Sequence, residues 1–274
     1  GSGTGFIWDD RGHIVTNYHV IDTPRRGSAS YTVTLYNQKT YPARLVGGEK
    51  RKDIAVLKID APAAELKAIS VAARAAKLEV GQKAIAIGNP YGLDHTLTTG
   101  VISALGREVA GYGGVSIRDM IQTDASINLG NSGGPLVDVH GEVLGLTTAV
   151  RSDGQGVAFA IPAPMARKFL DEVWTYGRVR MARLGIRAVD IGPDQFPGRL
   201  SAVAITQVAE DGPGARAGLE VGDVVLAIDD QAVSRVSQVA YLTQLHGVGA
   251  QVEMQVKRGE EPVKRLQVIP TEVP

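Results

Sequence analysis

The chain has 274 residues, 44% of them apolar, with 29 Lys and Arg balancing 29 Asp and Glu for a formal net charge of +0, and it contains no cysteine. Neutrality removes the bulk attraction that nucleic acid or an anionic membrane surface would exert, and the missing thiols exclude disulfides, cysteine nucleophiles and thiolate metal sites. The length suits roughly two domains of ~150 residues, each able to bury its own core, and no run of ~18 apolar residues offers a membrane-spanning helix.

The chain opens on Gly1-Ser2-Gly3-Thr4-Gly5-Phe6 without a signal-peptide pattern, so any targeting segment is expected to have been removed. Phe6-Ile7-Trp8, a turn at Asp9-Asp10-Arg11-Gly12 and His13-Ile14-Val15-Thr16-Asn17 predict a hairpin whose second strand runs on through His19. Further strands are predicted over residues 31–36, 41–46 and 53–59, then over 84–87, 97–102 and 142–148. Turn-forming stretches such as Thr23-Pro24-Arg25-Arg26-Gly27-Ser28 separate them. Helical periodicity is hard to find before residue 160, so an antiparallel barrel or sandwich is the economical architecture.

A boundary follows. After Pro162-Ala163-Pro164, Met165, Phe169 and Val173 recur every four residues until Gly177, the pattern of an amphipathic helix with proline at its start and glycine at its end. We divide the chain into a first domain over residues 1–178, a charged linker over 179–183 and a second, smaller domain over 184–274. The second contains strands at 202–207 and 223–228, a helix at 236–245 and a closing hairpin around Lys257-Arg258-Gly259-Glu260.

The most informative stretch is Thr123-Asp124-Ala125-Ser126-Ile127-Asn128-Leu129-Gly130-Asn131-Ser132-Gly133-Gly134-Pro135-Leu136. Its glycines permit positive φ and close backbone approach, and a tight turn there can aim the Gly130 and Ser132 amides at one point. Such paired donors stabilise the oxyanion of acyl transfer. A serine hydroxyl also needs a base, normally a histidine oriented by a third group. Of the histidines, His13 and His140 lie beside turns and read as solvated, His95 falls in a loop, and His246 ends a helix. His19, at a strand end, is the one a rigid element could aim, although a histidine there can equally be structural. Asp53, opening an apolar strand, reads either as a solvated edge residue or as the orienting acid. Gly130-x-Ser132-x-Gly134 formally matches the α/β-hydrolase nucleophile elbow, but an apolar strand-like run follows Pro135 and the best histidine precedes the serine, which that fold does not allow. No His-Glu-x-x-His or calcium loop is present, so neither metal nor cofactor is expected.

Taken together, Thr16-Asn17-Tyr18-His19-Val20, Asp53-Ile54-Ala55-Val56-Leu57 and Gly130-Asn131-Ser132-Gly133-Gly134-Pro135 resemble the three active-site segments of the HtrA (Deg) serine proteases, trypsin-like enzymes coupled to PDZ domains. Gly88-Asn89-Pro90-Tyr91-Gly92 and Phe159-Ala160-Ile161-Pro162 also look like signatures of that family, so the resemblance covers nearly the whole chain. The order His, Asp, Ser, with separations of 34 and 79 positions, suits a chymotrypsin-like double β-barrel.

The resemblance implies a mainly β protein with a smaller α/β PDZ domain, and a protease of protein quality control and stress response. His19, Asp53 and Ser132 form its triad, and Gly130, Asn131 and Ser132 its oxyanion turn, in which the Asn131 side chain is not required. It implies a substrate pocket lined by Ile127, Thr148 and Val150 that takes small or medium aliphatic side chains. In the PDZ domain, Leu184, Gly185 and Ile186 would bind a peptide carboxylate, with Val239 and Leu242 lining the groove, and Gly214, where alanine is more usual, is expected to matter little. Expected partners are unfolded protein substrates and C-terminal peptides, not nucleic acid. The full-length protein is expected to be a homotrimer or larger oligomer assembled through residues ahead of Gly1. The expected location is the bacterial periplasm or cell envelope, with an organelle lumen as the alternative. A non-catalytic peptide-binding or chaperone-like scaffold on the same fold is the rival function.

Overall fold

The computed structural model describes residues 2–22, 30–70, 78–89, 96–128 except 111–115, 130–150 and 156–272. It divides into two compact units, Gly1–Val179 and Arg180–Pro274.

In the first unit, β1 (Phe6–Ile7), β2 (His13–Thr16), β3 (Tyr31–Thr34), β4 (Thr40–Glu49) and β5 (Ile54–Ile59) form an antiparallel sheet in the order β1-β2-β5-β4-β3. Strand β5 is central, so its apolar run is buried almost throughout rather than alternating. Between β2 and β3 lies a one-turn helix, α1 (Tyr18–Ile21). Here the structure corrects the sequence expectation, which extended the strand through His19. The ladder ends at Thr16↔Ala55 because Asp53, with φ +53°, turns the partner strand away and leaves nothing for residues 17–21 to pair with. His13 is also corrected: it is buried, with Nδ1 2.7 Å from Asp9 Oδ2 and its ring 5.4 Å from that of Trp174.

Strands β6 (Lys83–Gly88), β7 (Thr96–Ala110), β8 (Ser116–Thr123), β9 (Pro135–Val137), β10 (Val143–Val150) and β11 (Ala158–Pro162) close into a barrel in the order β10-β11-β8-β7-β6-β9. Alanines 84, 86, 158 and 160 mix with Ile102, Ile121, Leu136 and Leu144 in its core, the combination of small and large side chains that fills a narrow barrel. Helix α2 (Ala163–Tyr176) follows, with Met165, Phe169 and Val173 buried and Gly177 closing it at φ +69°. A Cβ on Gly47 of β4 would stand 2.8 Å from a Val173 methyl, so glycine is what lets the helix dock.

The second unit contains β12 (Ala182–Arg183), β13 (Ile186–Ile191), β14 (Ala202–Val208), α3 (Pro213–Arg216), β15 (Val224–Ile228), β16 (Gln231–Ala232), α4 (Val236–His246), β17 (Val252–Lys257), β18 (Lys264–Val268) and β19 (Thr271–Glu272). Its main sheet runs β13-β14-β15-β17-β18, leaving β13 at an edge. Arg180 and Ala182, expected in the linker, are held by the Gln244 amide through Arg180 O and Ala182 N. Asp223 is fully buried at the start of β15, and the Arg258 guanidinium grips both its oxygens at 2.7 and 2.9 Å. Burial alone would raise the Asp223 carboxyl; this grip and the Glu220 amide outweigh it and hold the group below the usual carboxylate range. Arg258→Leu, which strands that buried charge, should therefore cost roughly 3–5 kcal/mol, read as a lower urea midpoint for the second unit's transition in the whole chain. An unchanged midpoint would contradict this account of Asp223.

Candidate active site

The site is assembled from α1, the turn before β5 and the loop between β8 and β9. Asp53 is buried, 2% exposed, and its positive φ points the carboxylate back toward α1. The Asn17 amide fixes the Asp53 carbonyl at 2.8 Å. One carboxylate oxygen accepts the His19 backbone N–H at 2.9 Å; the other lies 2.8 Å from His19 Nδ1 and also accepts the Thr148 hydroxyl. A carboxylate can only accept, so Nδ1 carries the proton and the Nε2 lone pair remains basic.

Ser132 is joined to this pair through the same threonine. Its Oγ donates to the Thr148 carbonyl over 3.3 Å, while the Thr148 hydroxyl sits on Asp53. Thr148, expected as a pocket wall, is thus buried and spends its hydroxyl on the acid. The serine loop is rigidly cross-tied. Asn131 N–H reaches Asn128 O at 3.0 Å with Gly130 at φ +104°, the geometry of a turn that demands glycine at its third position. Asn131 O takes the Gly134 N–H at 2.9 Å and the Thr147 hydroxyl at 2.7 Å, and Gly133 N–H reaches Thr147 O at 2.8 Å. The N–H groups of Gly130 and Ser132 meet no acceptor among the described residues. Two donors with no acceptor among the described residues, both beside the serine, are the kind of group that can receive an oxyanion.

Ile127 is a buried member of the barrel core, Leu129 and the Val150 side chain lie outside the described residues, and so do Pro90, Tyr91, Gly92 and His95. In the second unit, Leu184, Val239 and Leu242 belong to one buried apolar cluster, against whose margin Ile186 packs. Gly185 has φ +71° and its carbonyl accepts the Ala209 N–H at 2.8 Å. A Cβ on Gly214 would lie 2.8 Å from an Ile186 methyl and 3.0 Å from Leu184 O, so the residue expected to matter little is tightly enclosed by that loop. Sequence reading missed Thr4 and the hydroxyl role of Thr148; the glycines flanking Thr4 were the available signal for a close backbone approach.

A sheet and a barrel bringing His, Asp and Ser together in that chain order, followed by a six-stranded sheet with β13 at its edge, define a trypsin-like peptidase domain with a PDZ domain attached. Residues 3–146 match the model of the trypsin-like peptidase domain, and residues 204–258 match that of the PDZ domain. The chain is 43% identical over 281 residues to "Protease Do-like 1, chloroplastic" of Arabidopsis thaliana, spanning 96% of this chain and 62% of that protein. It is 35% identical over 273 residues to "Putative serine protease HhoA" of Synechocystis, spanning 95% and 68%. The solved structure "HtrA-type protease AlgW with decapeptide" superposes with a TM-score of 0.70 at 34% identity, over 99% of this chain and 83% of that one. The chain belongs to the HtrA (Do/Deg) family of serine proteases. It spans about 62–64% of the length of the first curated relatives that it matches. Those relatives include periplasmic proteins of Chlamydia and Haemophilus as well as chloroplastic ones. Among the described residues no helix is long and apolar enough to cross a membrane.

Proposed function

We propose that this chain is an ATP-independent serine endopeptidase that cleaves unfolded or misfolded proteins through an acyl-enzyme. The observation that carries the reading is the pair of amides at Gly130 and Ser132, without an acceptor among the described residues and one threonine away from the buried Asp53 and its half-buried partner His19. Rotation of the Ser132 hydroxyl from the Thr148 carbonyl to His19 Nε2 lets the imidazole take its proton as Oγ attacks the peptide carbonyl. The oxyanion settles on the two amides. His19 then returns the proton to the leaving amine, and water repeats the cycle on the ester. A non-catalytic scaffold would have no use for this constellation; Ser132-specific labelling by an organophosphonate separates the two.

Ile127, Thr148 and Val150 line the pocket in this reading, and neither Ile127 nor Thr148 carries a charge to recruit lysine or arginine. Cleavage of a denatured model protein should therefore fall after Val, Ala and similar residues when products are mapped by mass spectrometry. Predominant cleavage after Arg or Lys would contradict the pocket. The edge strand β13 and the Leu184-Gly185-Ile186 loop take an extended C-terminal peptide by strand addition, its last side chain entering a dent in the cluster of Leu184, Val239 and Leu242. That domain recruits substrate tails or regulates the peptidase unit. The full-length protein works in quality control as a trimer or larger oligomer in the periplasm or cell envelope, with an organelle lumen as the other setting.

A further inference from the structure

Resting on the peptidase reading, we propose that Thr4 is a positioning residue that holds the oxyanion turn in its donor-presenting conformation and ties it to the strand leading into His19. Every polar group of Thr4 is engaged, and each bond goes to a different part of the site. Its hydroxyl donates to Gly130 O at 2.5 Å and accepts the Asn89 N–H at 2.9 Å. Its backbone N–H donates to Ser132 O at 2.9 Å. Its carbonyl accepts the hydroxyl of Thr16, the last residue of β2, at 2.7 Å.

Steric fit singles out this segment as well. A Cβ on Gly133 would lie 2.1 Å from Thr4 O, and one on Gly3 would lie 2.7 Å from a Val20 methyl and 3.1 Å from Ser132 O. The segment is therefore wedged between α1 and the serine loop, with glycine on either side of Thr4. The consequence falls on the peptide units around the Ser132 amide. A peptide unit is planar, so fixing a carbonyl fixes the N–H on its other side. The unit that carries the Ser132 N–H is anchored through Asn131 O by Thr147 and Gly134, and Thr4 anchors the units on either side of it through Gly130 O and Ser132 O. With three successive units tied from the Gly130 Cα to Gly133, the Ser132 amide is fixed and the Gly130 amide is hinged on a fixed Cα, so the turn need not rearrange when charge develops, which is the condition for an oxyanion hole to act.

The test compares Thr4→Val, Thr4→Ala and Thr4→Ser with the parent chain. Each is measured by kcat and KM on an aliphatic peptide per active site titrated with an organophosphonate, and by affinity for a peptidyl boronate that mimics the tetrahedral adduct. Loss of the hydroxyl should lower kcat about 10- to 100-fold, part of the ~10²–10³ lost when an oxyanion donor is deleted. KM should stay within about threefold, boronate affinity should fall in parallel with kcat, and Thr4→Ser should recover most of the activity. Thr4→Ala carries the test if Thr4→Val does not fold. A kcat per titrated site within twofold of the parent in a variant lacking the hydroxyl would overturn the proposal, as would a Thr4→Ser loss equal to that of Thr4→Val. A parent chain that neither cleaves nor titrates would instead overturn the peptidase reading, and this inference with it.

Discussion

Ser132→Ala should lower kcat about 10⁶-fold with little change in KM, the size of effect found when a triad nucleophile is removed from an enzyme of unrelated fold. The geometry explains why this substitution should be so costly and so local. Ser132 Oγ makes a single long bond, 3.3 Å to Thr148 O, whose loss barely disturbs packing. The cross-ties of the loop run through backbone groups of residues 131, 133 and 134 and through Thr147, none of which alanine removes. Peptide binding and the paired amides survive, so a residual acceleration of about 10³–10⁴ over water should remain. Casein cleavage by the alanine variant at the parent rate would remove Ser132 from the chemistry.

Asp53→Asn should lower kcat by about 10⁴, through the tautomer rather than through loss of shape. The carboxylate accepts from the His19 N–H, from His19 Nδ1 and from the Thr148 hydroxyl, so all its neighbours are donors. An asparagine must turn its NH₂ toward at least one of them. Facing Nδ1, it forces the ring proton onto Nε2, where no base remains for Ser132. Facing the backbone N–H, it leaves a buried donor pair in opposition. The variant should also fold less stably, by about 1–3 kcal/mol for a buried group left unsatisfied. A kcat within tenfold of the parent would mean that Asp53 does not orient the base.

The outline of the candidate site could be read from the sequence because its three segments, each ambiguous alone, combine into a pattern that resembles one family. Asp53 precedes an apolar strand, Ser132 stands among glycines, and His19 follows a buried hairpin strand. The mainly β architecture and the amphipathic helix ending at Gly177 were legible because periods of two and of about four residues are visible in a single segment, whereas the edge strand β13 was not read at all. What stayed hidden depends on contacts between distant segments. The turn at Tyr18–Ile21 is too short to show a helical period and exists because Asp53 ends the neighbouring ladder. Thr148 donates across 95 positions to Asp53, and Thr4 across 126 positions to Gly130. Nothing in the local pattern of β10 reveals that the Thr148 hydroxyl is a partner of the carboxylate. His13 looked solvated beside its turn, but Asp9 and Trp174 enclose it. At Gly214 the missing methyl is dictated by Ile186 and Leu184 O, nearly thirty residues earlier in the chain.

The most direct test of the central claim is intact-mass analysis after reaction with an organophosphonate, with the adduct mapped by peptide sequencing. Activation of one serine by the Asp53–His19 pair predicts a single adduct per chain on Ser132, absent from Ser132→Ala and formed far more slowly in His19→Ala and Asp53→Asn. Labelling at another residue, or labelling of Ser132 at the parent rate in the His19→Ala variant, would contradict it.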